Sequence, residues 1–192
     1  MGRAIYVSSV NGDDANSGYA PEKAFRSLRK VNQMEIQPGD QILLERGSVF
    51  AGEYLHLYKG GTKEAPVVVD AYGEGALPRI EADGNGIWYQ NYGGHLDNVV
   101  HTWKGYLSSA VLLYDAEYIT VRNLEITNDP LVKNERMNQA DRMNRTGVSV
   151  IAQNHGTLHQ IELAYLYVHD VEGNIYDKHL NNGGIYMSVS RP

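Results

Sequence analysis

The sequence predicts an all-β fold, a parallel β-helix, and three observations carry that prediction. Short apolar strands recur at equal spacing, with Val111, Val148 and Ile185 each 37 residues from the next. A second strand type recurs at a spacing of 42, matching Ile119 with Ile161, Val121 with Leu163, Leu124 with Leu166 and Ile126 with Val168. Within that second type the alternation of aliphatic residues breaks at Arg122-Asn123 and resumes at Leu124 and Ile126. Two short strands joined by a corner of one or two residues read this way. Loops absorb the difference between the two spacings, so each turn of chain buries its inward residues against the turns above and below. A propeller, whose adjacent strands are joined by tight Asn-Gly or Gly-Gly hairpins, does not suit these spacings.

The elements follow in order. Residues 4–8 form a short strand, and the polar, glycine-bearing stretch 11–18 is a tight loop. After Pro21, residues 22–33 read as the one helix, with Ala24, Leu28 and Val31 on one stripe and Arg26, Arg29 and Lys30 on the other. Pro38-Gly39-Asp40 is a turn, and residues 41–45 and 66–72 are strands, the latter rich in β-branched side chains. Strands at 110–114, 118–127, 148–152, 160–169 and 184–188 complete the repeats. The chain is expected to be a single domain over 1–192. Residues 1–40 supply the N-terminal strand, loop and capping helix, and 41–192 the coils with their long loops. The third repeat stops after its first strand, so the final coil is expected to be truncated. Its open core and unpaired edge would then be covered by further coils of the same protein or by a second chain.

Composition bounds the function classes. The 192 residues carry 17 Lys and Arg against 23 Asp and Glu, a formal charge of −6 that argues against a nucleic-acid partner. No apolar run reaches a membrane span, and no signal-peptide pattern follows the start. The expectation is therefore a cytoplasmic protein or a secreted one read without its leader, with no membrane partner. Without cysteine there is no disulfide framework, thiolate metal site or Cys nucleophile. The 14 Tyr and two Trp against two Phe give almost every aromatic ring a polar handle, which suits half-wet strand faces and sugar-stacking platforms alike.

At this point the residues resemble a known family. Ile5-Tyr6-Val7-Ser8, the loop from Asn11 to Gly18, and Lys23-Ala24-Phe25-Arg26-Ser27-Leu28 look like the opening of right-handed parallel β-helix proteins of the pectin-lyase-like superfamily. The stretch from Pro38 to Leu44, residues 65–72 and the asparagine-bearing coil 118–128 extend the resemblance. It implies the fold, with the early helix capping one end of the solenoid. It implies little about the reaction, because the superfamily spans polysaccharide lyases, glycoside hydrolases, esterases and non-enzymatic proteins.

The candidate chemistry lies in the loops. The densest polar stretch, 169–184, sits between two strands and therefore projects from the solenoid rim, where binding and catalysis usually reside. Asp170, which directly follows a strand, leads as catalytic acid or base, with Asp177, Lys178 and His179 next, and Glu172 a further carboxylate. His169, Asn181 and Asn182 are candidate substrate contacts in the same stretch. A glycosidase needs two carboxylates about 5–5.5 Å apart for retention or about 6.5–9.5 Å apart for inversion. A second loop, 128–145, is expected to overhang the same groove, with Arg142 and Arg145 able to clamp an acidic sugar in two-point fashion. Trp88 and Trp103, in an aromatic run with Tyr89, Tyr92 and Tyr106, are candidate stacking platforms.

No cofactor is called for. His155 and His159 lie on an inter-strand stretch broken by Gly156, not on the helix that a zinc pair at this spacing needs. The loop 11–18 is the one place for a calcium ion, yet it lacks the spacing and terminal Glu of an EF-hand. The function expected is a carbohydrate-active protein with a polysaccharide or oligosaccharide as partner, foremost a glycoside hydrolase acting on a plant or microbial polysaccharide through a carboxylate pair. A polysaccharide lyase, with Lys178, His179 or an Arg as base, is the first alternative. A non-catalytic carbohydrate-binding or structural segment is the second.

Overall fold

The structure of the protein is a computed structural model that describes residues 2–91, 104–129, 143–173 and 182–189. Among these residues the strands are β1 (Ala4–Val7), β2 (Gln41–Glu45), β3 (Val49–Ala51), β4 (Leu55–Leu57), β5 (Val67–Tyr72), β6 (Arg79–Glu81) and β7 (Ile87–Asn91). They continue as β8 (Lys104–Tyr114), β9 (Ile119–Arg122), β10 (Glu125–Asn128), β11 (Asn144–Ala152), β12 (Ile161–Ala164), β13 (Tyr167–Val171) and β14 (Gly183–Val189). Three parallel sheets result, ordered β1-β2-β5-β9-β12, β13-β10-β6-β3 and β14-β11-β8-β4. From β2 onward the chain visits the sheets in one cyclic order: β2, β3, β4, then β5, β6, β8, then β9, β10, β11, then β12, β13, β14. The fold is all-β, as the sequence predicts.

The repeating aliphatics set the register. Val148 pairs with Val111 on one side and Ile185 on the other. Ile119 pairs with Ile161, Val121 with Leu163, and Ile126 with Val168. Apart from the half-exposed Ile185, their inward side chains join one core with Ile42, Leu44, Val67 and Val69 of the first sheet, Phe50 and Ile80 of the second, and Leu55, Leu57 and Leu113 of the third. Each such side chain, taken fully from water, contributes roughly 1.5–3 kcal/mol. The corner read between Val121 and Leu124 is real: Asn123 (φ 58°) joins β9 to β10, and Tyr165 (φ 51°), 42 residues on, joins β12 to β13. Left-handed backbone there turns the chain from one sheet to the next, and Asn tolerates it better than Tyr.

The capping helix is shorter than expected. A 3-10 turn at Pro21–Lys23 and a helix α1 at Leu28–Asn32 replace the continuous helix over 22–33. The break arises because Phe25 is used as strand, bridging to Val7, with its N–H donated to Tyr6 and its carbonyl accepting from Ser8. The Asp14 carboxylate also takes the N–H groups of Arg26 and Ser27 and the Ser27 hydroxyl. The predicted stripe survives, since Ala24, Leu28 and Val31 are all buried.

Two further departures matter for the site. Strands β7 and β8 pair antiparallel, Tyr89 opposite Tyr106, so one hairpin-like arm interrupts the parallel pattern. Asn144 and Arg145, assigned by the sequence to an exposed loop, open β11 instead and are nearly buried. At the last turn, Ile185, Met187 and Val189 of β14 are more than half exposed. An apolar cavity of about 330 Å³ opens beside them, lined by Val150, Ala152, Leu158 and Ile161.

Candidate active site

The corner where the second sheet passes into the third gathers the described members of both predicted loops. Asn128, the last residue of β10, is its fixed point. Its fully buried carboxamide accepts from Gly84 N–H at 2.9 Å and donates to the carbonyls of Ser108 (3.3 Å) and Thr146 (3.0 Å). One side chain thereby ties two successive turns of chain together at three backbone groups. Gly84 has φ 79°, and a Cβ there would press on the Arg145 guanidinium. Arg145 is the second anchor. Its backbone N–H donates to Asn182 Oδ1 at 2.8 Å and its Nη1 to the Glu172 carbonyl at 3.0 Å. Arg145 therefore braces Glu172 and Asn182, where the sequence reading makes it an exposed clamp.

Asp170 is presented by a β-bulge. The pairing runs from Ile126 with Val168 to Asn128 with Val171, so β13 spends three steps where β10 spends two. The extra residue re-aims the strand locally. Asp170 itself has φ 45°, and its side chain is 61% exposed. Its Oδ2 lies 3.0 Å from Nδ1 of His169, whose Nε2 lies 3.1 Å from Glu125 Oε1. Tyr167 stacks on the His169 ring with centroids 4.2 Å apart. Glu125 is held in turn by Arg79 Nη1 at 3.3 Å, and Arg79 Nη2 meets Glu81 Oε1 at 2.7 Å.

A second polar cluster lies behind the arm. Trp88 is 6% exposed, and its indole N–H donates to Ser109 Oγ at 2.8 Å. Ser109 Oγ also contacts Thr146 Oγ1 at 2.7 Å and Ser149 Oγ at 3.0 Å, forming a hydroxyl ladder across β8 and β11. His56 donates from Nε2 to the Ser109 carbonyl at 2.9 Å, and burial pushes its pKa down to about 4. The expected platform at Trp88 is thus covered, and among the described residues the exposed rings on this arm are Tyr89 and Tyr106, edge to face at 5.1 Å.

The structure joins His169 to Asp170 and Arg145 to Asn182, and it covers Trp88. Asp177, Lys178, His179, Asn181, Arg142 and Trp103 lie outside the described residues. The sequence reading missed Glu125, Arg79 and Glu81. Their signal was present: the match of Ile126 with Val168 already places Glu125 beside Tyr167 on the outward face of the next turn. Among the described residues no group of three or more His, Asp and Glu is placed to hold a metal ion. In the loop 11–18, the Asp13 and Asp14 carboxylates are engaged by backbone N–H groups.

No family model matches the chain. A GH136 lacto-N-biosidase from Eubacterium ramulus, solved by crystallography, superposes with a TM-score of 0.92 at 57% identity, over all of this chain and 31% of that one. The lacto-N-biosidase of Bifidobacterium longum subsp. longum is 41% identical over the whole of this chain, which covers 13% of that protein. The chain thus spans less than a third of either relative. A rhamnogalacturonan lyase shares the chain path over 80% of the chain with a TM-score of 0.50 at 13% identity, a likeness of fold alone. Both of these relatives are lacto-N-biosidases, and the one from Eubacterium ramulus is a GH136 enzyme.

Proposed function

We propose that the chain forms turns of a right-handed parallel β-helix, of the pectin-lyase-like kind, in a glycoside hydrolase with lacto-N-biosidase activity. The observation that carries this reading is the 57% identity to the Eubacterium ramulus enzyme along the entire chain. The cyclic visiting of three parallel sheets supports the solenoid. The hydrolysis is assigned to a carboxylate pair, Asp170 and Asp177. One donates a proton to the departing glycosidic oxygen. The other either attacks the anomeric carbon or removes a proton from the water that does. Lys178 and His179 lie beside Asp177 in sequence and are assigned to orienting the pair. His169, Asn181, Asn182 and Arg142 are assigned to the hydroxyl groups of an oligosaccharide. Arg145 and Trp88 shape the walls from behind, and Trp103 supplies a stacking face.

The test is incubation of the full-length natural protein with a chromogenic aryl lacto-N-bioside. Hydrolysis releases the aryl group and the intact disaccharide in equal amounts. Inertness toward this substrate would contradict the reading, and an unsaturated product absorbing in the near ultraviolet, formed from a uronic-acid polymer, would favour a lyase.

A further inference from the structure

We propose that Glu125 is a positioning residue for Asp170 and acts through His169; the inference rests on the assignment of Asp170 as one of the two reacting carboxylates. The geometry is a line of contacts along the outer face of the second sheet. Arg79 on β6 holds Glu125 on β10 at 3.3 Å, Glu125 meets His169 Nε2 at 3.1 Å, and His169 Nδ1 meets Asp170 Oδ2 at 3.0 Å. Each member comes from a different turn of chain or from the bulge itself, so the line is built by strand register and not by local sequence.

Its physical effect concerns orientation. Asp170 stands at a bulge with its side chain 61% exposed, and an exposed carboxylate rotates freely about two side-chain bonds. A donor fixed at Nδ1 selects one rotamer and points Oδ1 away from His169. The imidazole can serve as that donor only while its own ring is fixed. The Tyr167 ring, 4.2 Å away, restricts it from one face and Glu125 from the far nitrogen. Arg79 prevents Glu125 from turning to solvent, and Glu81 prevents Arg79 from doing so. A reacting group misaimed by about 1 Å loses up to about 100-fold in rate.

The test is a double-mutant cycle in the full-length protein with the aryl lacto-N-bioside, using E125Q, H169N, the E125Q/H169N pair and D170N. Asn at 169 keeps a donor where Nδ1 stands but reaches no further toward Glu125. Glu125→Gln is expected to lower kcat about tenfold with KM within about twofold and the melting temperature nearly unchanged. In the H169N background the same change is expected to have no further effect, because the link is already cut. An unchanged kcat in E125Q would overturn the proposal, as would effects of E125Q and H169N that multiply. Full activity in D170N would sink the assignment of Asp170 instead. In that event the link is read without activity, from the ring nitrogen chemical shifts of His169. A response at Nδ1 to E125Q then supports the link, and no response overturns it.

Discussion

The Asn128 carboxamide accepts a hydrogen bond from the backbone N–H of Gly84 at 2.9 Å, tying the turn before β7 to the end of β10. The same side chain donates to the Ser108 and Thr146 carbonyls, so its removal strands three backbone groups in two turns at once. Each buried group left unsatisfied costs about 1–3 kcal/mol. Asn128→Ala is therefore expected to lower unfolding free energy by about 3 kcal/mol or more, measured by urea denaturation. It is also expected to speed hydrogen exchange at the Gly84 amide. A loss below about 0.5 kcal/mol would show that water replaces the side chain there.

His56 sets an acid limit on stability. Burial depresses its pKa from 6.5 to about 4, so the folded protein holds the ring neutral where the unfolded chain takes up a proton. Its contribution is fully present above the unfolded value of 6.5 and is lost as pH falls toward 4. Over that window the loss amounts to about 3 kcal/mol. The His56→Gln variant keeps an N–H near the Ser109 carbonyl and does not titrate. Its stability is expected to fall less steeply between pH 6.5 and 4 than that of the parent, as read from denaturation midpoints.

The exposed apolar residues of β14 predict association of the 192-residue chain when it is isolated. Ile185, Met187 and Val189 of β14 stack on Val148, Val150 and Ala152 of β11, yet they stay more than half exposed, Met187 at 60%. An unpaired, apolar strand edge templates pairing with another chain. The 192-residue chain alone is expected to self-associate at micromolar concentration in analytical ultracentrifugation. Met187→Lys should shift it toward monomer without changing the melting temperature by more than a few degrees. Unchanged sedimentation in that variant would place the contact elsewhere.

The sequence reveals the register of this fold more fully than its site. Inward aliphatics must stack on their equivalents one turn away, so Val111, Val148 and Ile185 announce their own pairing. Short strands such as β3, β4 and β6 have three residues each and no repeat spacing, and they escape notice. The helix over 22–33 is over-extended because Phe25 answers to β1, a contact invisible to local periodicity. Of the site, Asp170 is read as following a strand, whereas it lies within β13 at the bulge. Arg145 is misread as exposed because charge alone suggests solvent, whereas its guanidinium is spent on the Glu172 carbonyl. Glu125 is overlooked because it lies inside a strand, and only the register of two turns brings it to His169.

The most direct measurement of the central claim is kcat/KM of Asp170→Asn in the full-length protein on an aryl lacto-N-bioside. Asn keeps the size and hydrogen-bonding reach of the side chain but neither gives up a proton nor attacks. The account predicts a loss of about 1,000-fold or more, comparable to removing an essential acid, base or nucleophile, with an unchanged melting temperature. Activity within about tenfold of the parent would contradict it and move the chemistry away from this corner of the sheets.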